Sequence, residues 1–201
     1  ISLSLGEPQT NPPPILKEMM NKYSDEWRKY LPPNGKRYFR ESVASYLERR
    51  YPKAKNLIDI DDEINPVPGT RAPLYQLGSL LKDANNKKTI SLVTNPFYHA
   101  WRAGAMASGT IIHWMNATKT SDWLPNLYNL ESSVLDKCSI MYICTPSNPH
   151  GKCASLTWLK DTINICRKHK VILCVDECYA DIYRDNVSPP AGIIEAISEL
   201  G

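Results

Sequence analysis

The chain lacks the short signatures of several large protein classes. Neither G-x-G-x-x-G nor G-x-x-x-x-G-K-[ST] occurs among its 201 residues, which argues against the common dinucleotide- and nucleoside-triphosphate-binding loops. No apolar run approaches the length of a membrane span, and no signal-peptide pattern opens the sequence. No Cys-x-x-Cys pair occurs either, so the sequence indicates neither a zinc ribbon nor a thioredoxin-type site.

The net charge and the positions of the cysteines narrow the functional class of the protein further. A formal net charge of +3 does not indicate a nucleic acid or a membrane surface as a partner. Of the six cysteines, Cys144 and Cys174 lie within apolar strand-like runs, where free cysteine behaves as a small hydrophobic residue. We therefore expect reduced thiols and a cytoplasmic enzyme, without a metal site.

Strand-like and helix-like segments alternate along the chain. Strands are predicted over residues 90–93, 110–115, 139–144 and 171–175. Helices are predicted over 15–27, 37–51, 72–81, 98–107, 130–135 and 193–200, with another carrying Leu156, Leu159, Ile163 and Cys166. Alternation at these lengths predicts an α/β fold, a three-layer αβα sandwich with a mostly parallel sheet.

Polar side chains follow two of the predicted strands at their carboxyl ends, where open α/β sheets bind ligands. Asn148 follows one strand, and Asp176, Glu177 and Tyr179 follow the next. Because side chains alternate along a strand, Glu177 is expected on the face opposite Asp176. Asp176 would keep a pyridine nitrogen protonated, while Asn148 and Tyr179 would hydrogen-bond a phenolic oxygen. This grouping suits pyridoxal phosphate, although Asp176 could instead be a helix cap or an ion-pair acid.

Two further segments could complete such a site. Gly69-Thr70-Arg71 precedes a predicted helix, whose N-terminal N–H groups would bind a phosphate; an ordinary helix cap is the alternative. Tyr98 follows the strand 90–93 and could stack on a planar ring, or could simply be a half-buried aromatic residue at a helix start.

Six motifs resemble, in order and spacing, those of class I/II aminotransferases, which are fold-type I pyridoxal-phosphate enzymes. They are Gly6-Glu7-Pro8, Tyr30 with Gly35, Gly69-Thr70-Arg71, Asn95-Pro96-Phe97-Tyr98, Asn148-Pro149-His150-Gly151 and Asp176-Glu177-Cys178-Tyr179. Within the family, the sequence is most similar to bacterial succinyldiaminopimelate aminotransferases. The resemblance implies pyridoxal 5′-phosphate as cofactor. It also implies small amino and oxo acids as substrates, here N-succinyldiaminopimelate with glutamate and 2-oxoglutarate in lysine biosynthesis.

The resemblance also implies a role for each matched residue. Gly69, Thr70 and Arg71 would hold the cofactor phosphate, Tyr98 would stack on the ring, and Asn148, Asp176 and Tyr179 would contact its polar atoms. Gly6 and Asn148 would meet the substrate, and Tyr30 would reach the cofactor phosphate of the partner subunit in a homodimer. His150 stands where the family usually has threonine, and cis peptide bonds are expected before Pro96 and Pro149.

One family element is not found in the sequence. No lysine lies in a Ser-x-Ser-Lys-like segment, so the Schiff-base lysine is expected beyond Gly201, and residues 1–201 are expected to be an inactive N-terminal portion of the enzyme. Residues 1–40 would form an N-terminal arm with a dimer-contact loop, and residues 41–201 an incomplete cofactor-binding domain. The alternatives are another class I/II aminotransferase, a fold-type I lyase or, for residues 1–201 alone, a non-catalytic cofactor-binding or interaction module.

Overall fold

The computed structural model of the chain describes residues 10–82, 85 and 87–201. The chain divides into a unit that ends at Lys36 and a larger unit, Arg37–Gly201. The first unit contains helix α1 (Pro14–Lys22) and a 3₁₀ turn, Ser24–Arg28, so the helix predicted over 15–27 ends one turn early. None of the helices in the described part of the chain has the length and apolar character that crossing a bilayer requires.

The second unit alternates helices and strands, within a few residues of the predicted bounds. Its helices are α2 (Arg37–Arg50), α3 (Arg71–Leu80), α4 (His99–Ala107), α5 (Ser132–Leu135), α6 (Leu156–His169) and α7 (Ile193–Leu200). Its strands are β1 (Ile90–Asn95), β2 (Ile111–Asn116), β3 (Cys138–Cys144) and β4 (Ile172–Asp176).

The four strands form one parallel sheet in the order β2-β1-β3-β4. Helices α3 and α4 pack on one face, where Trp101 and Leu74 meet Val93 and Tyr142. Helices α5, α6 and α7 pack on the other face, in a cluster that includes Leu135, Leu159, Ala196, Met141 and Ile143. The predicted three-layer α/β architecture is therefore confirmed.

Strand β3 lies at the centre of the core and is buried along its whole length. Its side chains alternate between the two faces, with Tyr142 directed to α3 and α4 and Met141 to α6. A continuous apolar run is typical of a parallel strand covered on both sides. Each fully buried side chain of this size stabilises the fold by roughly 1.5–3 kcal/mol. The buried strand thus gives the sheet a rigid carboxyl edge.

Helices α3 and α4 approach each other backbone to backbone through two glycines. A Cβ atom on Gly78 would lie 2.6 Å from the carbonyl oxygen of Gly104, and one on Gly104 would overlap the carbonyl oxygen of Tyr75. Glycine is required at both positions because no side chain fits between the helices. The contact fixes α3 and α4 relative to each other, and Thr70 and Tyr98 lie at the amino ends of these two helices.

All six cysteines are free thiols in the structure. Burial raises the pKa of the Cys144, Cys166 and Cys174 thiols to about 12, so they are protonated at neutral pH and pack as apolar groups.

Candidate functional site

A cavity of about 330 Å³ opens at the carboxyl edge of the sheet. It lies where the segments after β1, β3 and β4 meet the start of α3, the position at which open parallel sheets bind ligands. Its lining includes five of the residues that the sequence singles out: Thr70, Tyr98, Asn148, Asp176 and Tyr179. Residues separated by more than 100 positions along the chain thus converge on one cleft.

Asp176 and Asn148 come from neighbouring strands. Asp176 is the last residue of β4 and pairs with Cys144, the last residue of β3, four positions before Asn148. One Asp176 carboxylate oxygen accepts a hydrogen bond from the Cys178 backbone N–H at 3.2 Å. That bond fixes the carboxylate at the cavity wall. The prediction that Asn148 and Asp176 lie at adjacent strand ends is confirmed.

Tyr179 lies beside Asn148. The Asn148 Nδ2 atom donates to the Tyr179 hydroxyl oxygen at 3.3 Å. Burial raises the pKa of Tyr179, while the hydrogen bond from Asn148 acts in the opposite direction. The phenol is therefore protonated at neutral pH and can donate its own hydrogen to an acceptor in the cavity. Two donors, an amide and a phenol, face the same cleft.

Glu177 lies on the opposite face of the strand end, as alternation predicts. Its Oε1 atom accepts the Ile193 backbone N–H at 2.6 Å and so caps the amino end of α7. Burial raises the pKa of this carboxyl, while the Ile193 N–H and Arg50 lower it. Asp176 and Glu177 are adjacent in sequence, yet only Asp176 lines the cavity.

The Gly69-Thr70-Arg71 segment forms the opposite end of the site. Gly69 has a φ of +86°, a left-handed conformation that favours glycine, and nothing lies within 4 Å of where its Cβ would be. Thr70 precedes α3 but makes no side-chain capping hydrogen bond, so the ordinary-cap alternative is not realised. Arg71 Nε donates to the Tyr98 hydroxyl oxygen at 3.0 Å. The amino end of α3 therefore presents a hydroxyl and backbone donors to the cavity.

Aromatic rings form one wall of the cavity. Tyr98 meets Trp101 edge to face, with ring centroids 6.0 Å apart, and Trp101 stacks on Tyr142 at 6.1 Å. The buried Trp101 Nε1–H finds no acceptor among the residues that the structure describes. Trp101 belongs to no motif of the sequence, although it lies only three positions after Tyr98, the residue that precedes α4.

His150, which stands where the family usually has threonine, lies outside the lining of this cavity. Its ring stacks on Trp123, with centroids 4.5 Å apart and planes inclined by 26°. Lys152 forms an ion pair with Asp122. These two contacts join the loop after β2 to the loop after β3, so His150 serves the contact between these loops, whereas Asn148 and Pro149 of the same motif line the cavity.

The remaining predictions from the sequence concern two proline peptide bonds, Gly6 and Tyr30. The peptide bonds before Pro96 and Pro149 are cis as expected, and a third cis bond, before Pro146, was not anticipated. Gly6 lies outside the described residues. Tyr30 belongs to the unit that ends at Lys36, and its side chain is fully exposed there. Within the described ranges, no group of three or more His, Cys, Asp or Glu side chains could hold a metal ion.

Comparison with known proteins relates this geometry to a family. The sequence model described as aminotransferase class I and II matches residues 1–199. The LL-diaminopimelate aminotransferase of Moorella thermoacetica is 27% identical over 195 residues, which are 95% of this chain and 48% of that protein. The LL-diaminopimelate aminotransferase of Gloeobacter violaceus is 24% identical over 193 residues, with the same coverage. The chain therefore spans about half the length of the curated relatives it matches.

Solved structures give the same result. An aminotransferase from Neisseria meningitidis superposes with a TM-score of 0.90 at 27% identity, covering 100% of this chain and 50% of that one. An aminotransferase from Helicobacter pylori superposes with a TM-score of 0.85 at 26% identity, covering 96% of this chain and 49% of that one. The family match extends over nearly the whole sequence, and the fold agrees with it. This chain belongs to the class I and II aminotransferases.

Proposed function

We propose that the chain is the cofactor-binding portion of an aminotransferase that moves an amino group between an amino acid and a 2-oxo acid. Enzymes of this family depend on pyridoxal phosphate. The observation that carries the proposal is the convergence of Asp176, Asn148 and Tyr179 on one cavity opposite the amino end of α3. One carboxylate, two neutral donors and a phosphate-compatible helix start match the polar groups of that cofactor.

The residues present fit the cofactor. The backbone N–H groups after Gly69 and the Thr70 hydroxyl would hold the phosphate, and Arg71 would add positive charge there. Tyr98 would cover a ring face, and the Asp176 carboxylate would pair with the ring nitrogen. The Asn148 amide and the Tyr179 phenol would donate to the ring oxygen, the arrangement that their 3.3 Å contact already holds together.

When bound, pyridoxal phosphate supplies an electron sink for the negative charge that develops at the substrate α-carbon. The chain's own contribution is electrostatic. Asp176 holds a proton on the ring nitrogen because its negative charge favours the protonated form. Tyr179, protonated because burial raises its pKa, would donate to the ring oxygen. Tyr98 and Trp101 would form an aromatic wall beside these groups.

The substrate is the finer part of the proposal. The motif resemblance favours N-succinyldiaminopimelate with glutamate and 2-oxoglutarate, and the relatives named above act, by their names, on LL-diaminopimelate. We therefore propose a diaminopimelate-type substrate, with the succinylated form as the first candidate. The proposed enzyme is a homodimer in which Tyr30 reaches the partner's cofactor phosphate. The competing hypotheses are an aminotransferase with a different substrate and a fold-type I lyase.

The full-length protein loaded with pyridoxal phosphate tests this proposal. Stopped-flow absorbance of the bound cofactor would follow its conversion by glutamate, N-succinyldiaminopimelate, LL-diaminopimelate and, as an unrelated donor, phenylalanine. Conversion by glutamate and by one diaminopimelate compound is expected. Faster reaction with LL-diaminopimelate would reassign the substrate within the class, whereas release of ammonia or carbon dioxide without conversion of the cofactor to its amine form would indicate a lyase.

A separate prediction concerns the covalent link to the cofactor. No lysine lines the cavity in the described part of the chain; Lys152 and Lys160 pair with Asp122 and Glu199. We therefore propose that residues 1–201 do not supply the Schiff-base lysine. Borohydride reduction of residues 1–201 with pyridoxal phosphate, followed by peptide mass spectrometry, is expected to show no single dominant modified lysine and no transaminase activity. Stoichiometric labelling at one lysine would contradict it; a full-length sample is the matched control.

A further inference from the structure

The loop that follows β4, residues 177–192, is fastened to the carboxyl end of α2. This loop carries Tyr179 and begins directly after Asp176. Its attachment comes mainly from Arg50, in the last turn of α2, about 130 positions earlier in the sequence. The significance of that attachment rests on the function proposed above, because Asp176 and Tyr179 are the groups assigned to the cofactor ring.

Arg50 makes three hydrogen bonds to the loop. Its Nε atom donates to the Asp181 carboxylate at 3.0 Å. Its Nη2 atom donates to the Ala180 carbonyl oxygen at 3.3 Å and to the Pro190 carbonyl oxygen at 2.8 Å. The side chain is only 10% exposed. One planar guanidinium therefore joins the beginning and the end of the loop to the same helix.

Aromatic residues hold the guanidinium in place. Its central carbon lies 4.7 Å from the Tyr51 ring centroid and 5.9 Å from that of Tyr183. The Tyr46 hydroxyl also donates to Asp181, and together with Arg50 it lowers the pKa of that carboxyl. Asp181 is thus ionised at neutral pH, and its charge is matched by Arg50. The arginine has both a fixed position and a charged acceptor.

The base of the loop is closed independently of Arg50. Glu177 accepts the Ile193 N–H at 2.6 Å, which joins the two ends of the loop. A Cβ atom on Gly192 would overlap the hydroxyl of Tyr51, so the loop returns against that ring without room for a side chain. Because the ends are joined in this way, loss of Arg50 would release the loop from α2 at Ala180, Asp181 and Pro190 and leave Glu177 bonded to Ile193.

We propose that Arg50 is a positioning residue for the cofactor ring, acting through the loop on Tyr179. Ala180, whose carbonyl accepts from Arg50, is the next residue after Tyr179. The phenol of Tyr179 must stay beside Asn148 to donate to the ring oxygen. Holding it there before the ligand arrives removes the cost of ordering the loop on binding. Lysine cannot replace the arginine fully, since an ammonium group lacks the planar fork that reaches three acceptors.

The experiment uses the full-length protein and pyridoxamine 5′-phosphate, which has no aldehyde and therefore binds without a covalent link. Its dissociation constant is measured by quenching of tryptophan fluorescence in the parent and in Arg50→Lys, Arg50→Met and Asp181→Asn. Hydrogen exchange of residues 177–192 is followed in parallel. Arg37→Met is the matched control, since Arg37 also lies on α2 and pairs with Glu41 and Asp61, away from the loop. Ile163→Ala, in the core on the other face, controls for loss of stability alone.

We expect roughly tenfold weaker binding for Arg50→Met, with faster exchange in the loop, and a partial loss for Arg50→Lys and Asp181→Asn. The absorbance titration of bound pyridoxal phosphate should shift to higher pH in Arg50→Met, because the ring oxygen loses its donor from Tyr179. Both controls should bind and titrate like the parent.

The possible outcomes separate this inference from the proposed function. If the parent itself does not bind pyridoxamine 5′-phosphate, the proposed function fails. If the parent binds and Arg50→Met matches Ile163→Ala in affinity and titration, Arg50 is purely structural and the inference is wrong. If Arg50→Met fails to fold, the affinities and titrations of Asp181→Asn and Arg50→Lys test the inference in its place. Each of these variants keeps part of the hydrogen bonding between α2 and the loop.

Discussion

Under the proposed function, replacement of Asp176 by alanine in the full-length protein is expected to remove most of the transaminase activity. Asp176 is the cavity carboxylate at the end of β4, held by the Cys178 N–H. Without its charge, the ring nitrogen loses its proton and the electron sink weakens. Removal of one preorganised electrostatic group typically lowers the rate by roughly 10²–10³-fold. Half-reaction rates with glutamate, followed by cofactor absorbance, measure the effect.

Two further variants make the Asp176 test specific. Asp176→Asn keeps the size of the side chain and an acceptor for Cys178 but removes the charge, so it should lose most of the activity as well. His150→Thr changes a residue that stacks on Trp123 outside the cavity, and it should react at nearly the parental rate. If Asp176→Ala reacted at the parental rate, another acidic residue would have to pair with the ring nitrogen of the cofactor.

The second large effect is expected from Gly104→Ala. Alanine is favoured over glycine in a helix by about 1 kcal/mol, so helix propensity alone predicts stabilisation. The close approach of α3 and α4 predicts the reverse, because the new methyl group would overlap the backbone of Tyr75. Overpacking against backbone costs about 1–3 kcal/mol or more, which exceeds the gain in propensity. Urea unfolding of the full-length protein should therefore show a lower midpoint.

A neighbouring exposed position supplies the control for Gly104→Ala. Met106 lies two residues further along α4 and is 55% exposed, so Met106→Ala should leave the midpoint close to that of the parent. A Gly104→Ala protein as stable as the parent would show that the helices separate at little cost. In that case the α3–α4 contact could not be what fixes Thr70 relative to Tyr98.

The architecture and most of the site could be predicted from local signals. Strand runs ending in Asn148 and Asp176 obey a general rule, that parallel strands present their carboxyl ends at one edge. The alternation of side chains along β4 was enough to predict that Asp176 and Glu177 lie on opposite faces of the sheet. These features depend on residues within a few positions of each other, which is the range over which periodicity carries information.

The features that could not be predicted depend on contacts between segments that are far apart in the sequence. Arg50 is an unexceptional member of a basic helix end in the sequence, and only the fold brings it to Ala180, Asp181 and Pro190. The stacking of His150 on Trp123 likewise joins two loops that share no periodic pattern. Such pairings follow from the packing of whole elements, so single-sequence reasoning has no signal for them.

The walls of the cavity come from two parts of the fold that are held in place by different contacts. Thr70 and Tyr98 belong to the α3–α4 pair, which the glycine contact joins, whereas Asp176 and Tyr179 belong to the end of β4 and its loop. A ligand that contacts both parts acts as a non-covalent cross-link between them. Such a ligand stabilises the folded chain by an amount that increases with the ratio of the free ligand concentration to its dissociation constant.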